Sequence, residues 1–555
     1  MRYATYFKGE ERRLFVGLAC MVGRGLALAV LVIALRYIIG DFSHPNGVAN
    51  GLIEASFALC IACVGSLCSW EARRNITSAT KTAVARVRRD LNAKVYRLDA
   101  DAIERDGRMA LHTTIVHDTE MLDRMTNAVL AVMLPTLLSI GVLVGALLWI
   151  SALFGLGFLT VLFLTWLLIQ LTSPIVRKRA DAFHRSFATL GKGTLEGIER
   201  LELARMSAAE HFELSRRASE IEAVRKTSSA MVSLAAATTE LNGLLGNIAT
   251  LTLLVVGGAA NLYGMITVPN LFTAFAILML LRGHASSIGL YTADIQEGFA
   301  SMSQIFVLLD LPEQFHYCGR QVISFQGNIE FRNVSFGYDA SLLLNRATLD
   351  VEAGRCIGVV GPNGAGKTTL VRLMLGLCKP EQGQILADNI EYEHLDIAAL
   401  RRQIGVVPQF PILFDGTVAD NIAYGHPQVM PIDLERAAIL AGAHEFISRL
   451  PAGYATQIGD TGSLLSGGER QQIAIARALV GTPKLLILDE PLNHLASNAL
   501  EPILARLRNL SALPSVVLIS HNMDAVALAD RTYRLQSGTL SPFPQVVHSA
   551  PEAGG

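Results

Sequence analysis

The stretch Gly361-Pro362-Asn363-Gly364-Ala365-Gly366-Lys367-Thr368 has residue types and spacing suited to phosphate chemistry. It fits G-x-x-x-x-G-K-[ST], in which glycines let successive backbone N–H groups turn inward on one centre. Lys367 can then place a point charge on the β- and γ-phosphates, and Thr368 can offer its hydroxyl to Mg²⁺. The flanks suit this reading. Cys356–Val360 reads as a buried strand, and Thr369 begins a helical pattern that runs to Met374. A glycine-rich turn matching by accident would lack both. The pattern implies a nucleoside triphosphate site.

Two further stretches narrow the type. Leu465-Ser466-Gly467-Gly468-Glu469 leads into the amphipathic run Ile473–Leu479, so a helix N-terminus can present N–H groups and positive dipole to an anion. Leu485–Leu488 is an apolar strand ending in Asp489 and Glu490, as expected of a buried parallel strand whose carboxyl end meets a ligand. The set resembles the ATP-binding cassette (ABC) family, whose hallmark is L-S-G-G beside the Walker A and B motifs. The resemblance implies ATP with Mg²⁺, bound by residues 361 to 369 including Thr369, with Ser466, Gly467 and Gly468 contributed across a cassette dimer. It implies that Tyr338 stacks on adenine and that Gln409 touches Mg²⁺ and senses the transmembrane domain. By the same resemblance Asp489 holds Mg²⁺ with Thr368, Glu490 is the general base for water, and His521 lies near the γ-phosphate. Those types suit phosphoryl transfer, which is mostly positioning and charge neutralisation. The sequence departs from the family at Leu492-Asn493-His494-Leu495-Ala496, where alanine replaces an aspartate of the D-loop. That change bears on coupling between the two sites, while Glu490 keeps hydrolysis in place.

Elements that could position such a site occupy only the second half. Hydrophobic residues make up 51% of the 555, charged residues 17%, and the mean hydropathy is +0.38. Six apolar stretches are long enough for a hydrocarbon core of about 30 Å: 14–39, 51–70, 128–150, 153–172, 231–257 and 265–290. The first is too long for a cleaved signal peptide and is followed by further spans. Lys and Arg crowd residues 71–127 and 173–230 and avoid the joints at 41–50, 151 and 258–264. The positive-inside rule therefore places both long segments and the start of the chain in the cytoplasm, and an even span count returns the chain there.

The expected fold is an α-helical six-span transmembrane domain followed by an α/β P-loop ATPase domain. Its parts are a transmembrane domain 1–310, a linker 311–326, a cassette 327–540 and a tail 541–555. The long cytoplasmic helices resemble those of the exporter-type (type IV) fold, with 107–118 and 193–209 at the places of the coupling helices. The resemblance implies a half-transporter in the lipid bilayer of a bacterial inner membrane, with its cassette cytoplasmic. The second half-transporter is a second copy or a different chain. A transported substrate is implied, and no nucleic-acid partner.

Export is the default for this fold and import a minority use. Asn493-His494-Leu495 also matches soluble ABC ATPases, a reading that six spans oppose. Arg24, Glu240 and Arg282 lie within apolar sequence, where ionised groups face a partner or a pathway. Either Glu240 pairs with one arginine, or the residues line a substrate pathway. In both cases an arginine is left over, favouring an anionic or amphipathic substrate. Cys60 and Cys63 form a C-x-x-C within the second span, where free cysteine packs as a small apolar residue.

Overall fold

Long apolar runs with few breakers dictate helices throughout the first half. The computed structural model describes residues 2–42, 47–98, 108–313, 317–338, 341–459, 462, 464–493, 495, 499–510 and 512–543. It forms two compact units, Met1–Glu313 and Gln314–Gly555.

Six long helices make up the first unit. They are α1 (Glu11–Phe42), α2 (Val48–Val95), α3 (Ala110–Ile150), α4 (Ala152–Glu199), α5 (Glu210–Leu262) and α6 (Val268–Asp310). Among the described residues, five of these are long and apolar enough to cross a membrane, where six spans were expected. The sixth apolar stretch is the shorter Val268–His284 within α6. Its expected start at Met265 falls outside the helix, because Pro269 sits in the first turn and suits the beginning of a helix rather than its interior. The joint expected at 258–264 is also narrower, since α5 continues to Leu262.

Only 17% of the apolar window of α1 is buried, so most of its hydrophobic surface faces outward, as lipid requires. The inward faces meet in a core of Val32 from α1, Leu143 and Leu147 from α3, Leu253 from α5 and Ile277 and Leu281 from α6. A second core, with Val87, Leu91, Leu122 and Ile305, holds α2, α3 and α6 together beyond the apolar stretches. Two segments of α3, Thr114–Asp118 and Ala128–Met133, are wound as π-helix. In α4, Pro174 lies inside the helix, two residues past the end of the expected span.

The second unit is built on two sheets. β1 (Ile329–Tyr338), β2 (Ser341–Val351), β4 (Gln382–Ala387) and β5 (Ile390–Glu391) form an antiparallel sheet in the order β2-β1-β4-β5. The other sheet has the order β10-β9-β3-β8-β7-β6. Its strands are β3 (Cys356–Val360), β6 (Ile404–Val407), β7 (Leu485–Asp489), β8 (Ser515–Ser520), β9 (Arg531–Gln536) and β10 (Thr539–Phe543). From β9 to β6 the strands are parallel. Every residue of β3, β7 and β8 is buried, which explains why they read as unbroken apolar runs. The helices α7 (Lys367–Met374) and α8 (Gly467–Val480) carry the two glycine-rich motifs at their N-termini.

Candidate functional site

Four adjacent parallel strands bring the chemistry to one edge. Val360 pairs with Ser520, Asp489 with Ile519 and Val407 with Leu488. The segments leaving β3, β8, β7 and β6 are the glycine-rich loop, His521, Glu490 and Gln409. This is the carboxyl edge at which parallel sheets bind ligands.

The loop from Gly361 to Gly366 needs glycine at two positions. Gly364 has φ +79° and Gly366, which caps α7, has φ +101°, both in the left-handed region. Lys367 is buried, and its ammonium donates to the Gly361 carbonyl at 2.8 Å and the Pro362 carbonyl at 3.3 Å. The same nitrogen lies 3.2 Å from Glu490 Oε1. Thr368 is exposed at the start of α7, whereas Thr369 is buried.

Asp489 and Glu490 are 5% and 4% exposed. Burial, reinforced by the neighbouring Glu490 charge and only partly offset by Lys367, pushes the Asp489 carboxyl up to about 6. Burial would raise Glu490 too. Hydrogen bonds from the His521 N–H, Lys367 and the His521 ring outweigh it, leaving Glu490 below the usual range. His521 Nδ1 is 2.7 Å and its backbone nitrogen 3.2 Å from Glu490 Oε2. Glu490 has φ +49°, unusual for a non-glycine residue, and such conformations gather at functional sites.

Sequence reasoning missed two participants. The Ser520 hydroxyl donates to Glu490 Oε2 at 3.3 Å. Arg372 donates to the Tyr338 hydroxyl at 2.8 Å, while Phe336 meets the Tyr338 ring edge-on at 5.1 Å. Ser520 could have been found as the neighbour of His521. Arg372 stands five residues after Lys367, a spacing that gives no signal.

The third motif stands apart. Ser466 caps α8, its hydroxyl accepting from the Glu469 N–H at 3.3 Å while its own N–H donates to Glu469 Oε2 at 2.8 Å. Gly467 and Gly468 form the first turn of α8. Among the described residues, no hydrogen bond or ion pair joins residues 466–468 to residues 361–369 of the same chain. Gln409 is half-buried beyond β6. Ala496 lies outside the described residues.

In the first unit, Glu240 is exposed and makes no ion pair with Arg24 or Arg282 among the described residues. Arg24 reaches the Ser69 hydroxyl at 3.4 Å and Arg282 the Asn247 side-chain oxygen at 2.6 Å. Of the two alternatives, the Glu240–arginine pair does not form among the described residues, and each arginine has a contact to a neutral oxygen. The cysteines Cys60 and Cys63 are free and exposed, and no group of metal-binding side chains occurs among the described residues.

Residues 344–493 match the family described as ABC transporter, and residues 14–284 match the ABC transporter transmembrane region. An ATP-dependent lipid A-core flippase of Chromohalobacter salexigens is 31% identical over 427 residues, covering 76% of this chain and 73% of that protein. A fatty acid ABC transporter ATP-binding/permease protein of Mycobacterium bovis is 28% identical over 508 residues, covering 89% and 79%. The fold matches a bacterial Atm1-family ABC exporter solved with ATP bound. That match has a TM-score of 0.82 at 24% identity and covers 96% of this chain and 94% of the other.

Proposed function

Because this chain belongs to the ABC transporter family, as an integral membrane permease fused to an ATP-hydrolysing cassette, we propose that two copies form an exporter. The cassettes would pair so that residues 466–468 of each complete the ATP site of the other. Support comes from Ser466, which makes no hydrogen bond to the glycine-rich loop of its own chain among the described residues, and from the general preference for symmetric homo-oligomers. The exporter-type fold, together with a relative named as a flippase, favours outward movement across a bacterial inner membrane. The arginine-rich stretches of α2, α4 and α5 support a cytoplasmic cassette.

The observation that carries the chemistry is Glu490 held between Lys367 and His521. In this reading Tyr338 packs against adenine, and the loop amides and Lys367 hold the phosphates. Glu490, kept ionised, accepts a proton from the water that attacks the γ-phosphorus. His521 orients the carboxylate and faces the same phosphate. The donors fit Mg²⁺: an exposed Thr368 hydroxyl, the Asp489 carboxylate and the Gln409 amide oxygen are hard oxygen ligands, too few for an all-protein cage. When bound there with ATP, Mg²⁺ would neutralise charge on the β- and γ-oxygens.

The test is Glu490→Gln in the purified protein. Expected are retained ATP binding, lost turnover and an ATP-dependent crosslink between cassettes of two copies. Hydrolysis at the wild-type rate would overturn the assignment.

A further inference from the structure

In the reading above, Gln409 stands by the chain's own nucleotide and Ser466 by that of a second copy. Three residues past Gln409 begins a segment, 412–424, that lies against α8 and contains the short helix Val418–Ile422. Arg477, in the last turn of α8, holds it there. Its Nη1 donates to the Ile412 carbonyl at 2.7 Å, its Nε to the Asn421 carbonyl at 2.7 Å and its Nη2 to the Asn421 side-chain oxygen at 3.0 Å. The guanidinium also lies 5.9 Å from the Phe414 ring centre and 5.7 Å from that of Tyr424. One planar fork thus meets both ends of the segment, a geometry that a lysine cannot copy.

The segment around Arg477 is internally braced. Asn421 is fully buried, its amide donating to the Phe414 and Thr417 carbonyls at 2.9 and 3.1 Å while its oxygen accepts from the Phe414 N–H at 3.1 Å. The same segment meets the approach to α8 at the other end. Leu413 is buried against Gly462, where a Cβ would come 2.9 Å from Leu413 Cδ1 and 3.4 Å from the Arg470 side chain. Arg470 Nη1 donates to the carbonyl of Leu465, the residue before Ser466, at 2.7 Å. Arg477 and Ser466 are eleven residues apart, about 16 Å of helix. A short rod held near both ends carries any shift of the segment to Ser466. As mere adhesive a half-buried guanidinium is a poor choice, because an apolar side chain of similar size binds elements together as well. What the fork adds is a fixed geometry.

We propose that Arg477 is a positioning residue of the ATPase. It locks the segment after Gln409 to α8, and so sets where Ser466, Gly467 and Gly468 stand when a second cassette closes on them. The consequence rests on the paired-cassette reading, whereas the contact itself does not.

Hydrogen exchange in the nucleotide-free full-length protein tests the contact. Arg477→Met should speed exchange of the amides of residues 412–422 and 466–470 at least about tenfold, the value of a hydrogen bond to a charged group, and leave those of 364–369 as they are. ATP titration of cassette crosslinking tests the consequence, in the Glu490→Gln background where hydrolysis is lost. Arg477→Met should raise the half-maximal ATP at least about tenfold. Arg477→Lys, which keeps the charge and loses the fork, should raise it nearly as far. Binding of ADP, which the chain's own loop and Tyr338 supply, should not change. Tyr424 is 65% exposed, so Tyr424→Leu keeps the test open if Arg477→Met does not fold. Loss of that aromatic face should raise the ATP midpoint about two- to fivefold, and should add nothing in the Arg477→Met background. Unchanged exchange, an unchanged midpoint, additive effects of the two substitutions, or an equal loss of ADP binding each overturns the role. Were Glu490→Gln alone to give no ATP-dependent crosslink, the paired-cassette reading would fail, and exchange would still decide on Arg477.

Discussion

Lys367 Nζ stands 3.2 Å from Glu490 Oε1, with both side chains nearly withdrawn from water. The lysine charge stabilises the ionised carboxylate, and the carboxylate in turn satisfies a buried ammonium. Removing one partner leaves the other exposed to the full cost of burial. Lys367→Ala should weaken ATP binding by roughly ten- to a hundredfold, the range for a hydrogen bond to a charged group. Glu490→Gln should keep affinity within about threefold yet reduce turnover by at least about a hundredfold, as for loss of a general base. Equilibrium nucleotide binding and phosphate release separate the two, and equal loss of affinity in both variants would contradict the division of roles.

Arg372 fixes the Tyr338 hydroxyl at 2.8 Å, with Phe336 bracing the ring from the strand. Arg372→Met should therefore raise the KM for ATP about three- to tenfold, the net value of one ordinary hydrogen bond. It should leave kcat and inhibition by inorganic tripolyphosphate unchanged. Combining it with Tyr338→Phe should add little, because either change removes the same contact. Additive losses would show that Arg372 acts elsewhere.

Asp489 gives a pH signature. Its carboxyl is raised to about 6, so the folded cassette holds this proton more tightly than the unfolded chain does. In EDTA that contribution to stability is complete below the ordinary aspartate range and is lost as pH rises through about 6. Mg²⁺ should accordingly raise the cassette melting temperature more at pH 7.5 than at pH 5, where it must displace a proton. Thermal unfolding of the intact protein, compared with Asp489→Asn, checks this. A Mg²⁺ effect equal at both pH values would argue against Asp489 as a ligand.

Ser466 both caps α8 and presents its N-terminus. Ser466→Asn keeps a capping side chain, whereas Ser466→Ala should cost about 1 kcal/mol of helix stability. If the hydroxyl also meets a nucleotide on a second copy, both variants should lose ATP-dependent cassette crosslinking, and only the alanine should melt earlier. Retained crosslinking in Ser466→Asn would leave the cap as the only role of the side chain.

Much of this site is legible in the sequence because short motifs fix backbone geometry. Gly364 and Gly366 take the left-handed angles that the loop requires, and the apolar runs before Asp489 and His521 form the buried parallel strands that their composition suits. The helices were legible for the same reason, since α2 and α4 keep helical periodicity beyond their apolar parts. Contacts between distant residues were not. Nothing in the spacing of Arg372 and Tyr338, or of Lys367 and Glu490, says that they touch, because those contacts depend on which strands become neighbours. Glu240 shows the converse: charge in an apolar run allowed either an ion pair or a pathway role, and the sequence alone could not tell that this side chain is exposed and forms no pair with either arginine among the described residues.

Pro174 gives α4 a mechanical character. The helix has 48 residues, about 72 Å at 1.5 Å per residue. A proline inside it removes the hydrogen bond to the Gln170 carbonyl, so bending concentrates there rather than spreading along the rod. The part from Pro174 to Glu199 is a lever arm of about 37 Å, and a bend of about 20°, ordinary for a proline kink, swings its tip by about 13 Å. A small angular strain where α4 leaves its apolar stretch would thus become a displacement larger than a helix diameter at its far end. Leverage of that size lets a short stroke at one end of such a rod be felt as a long one at the other.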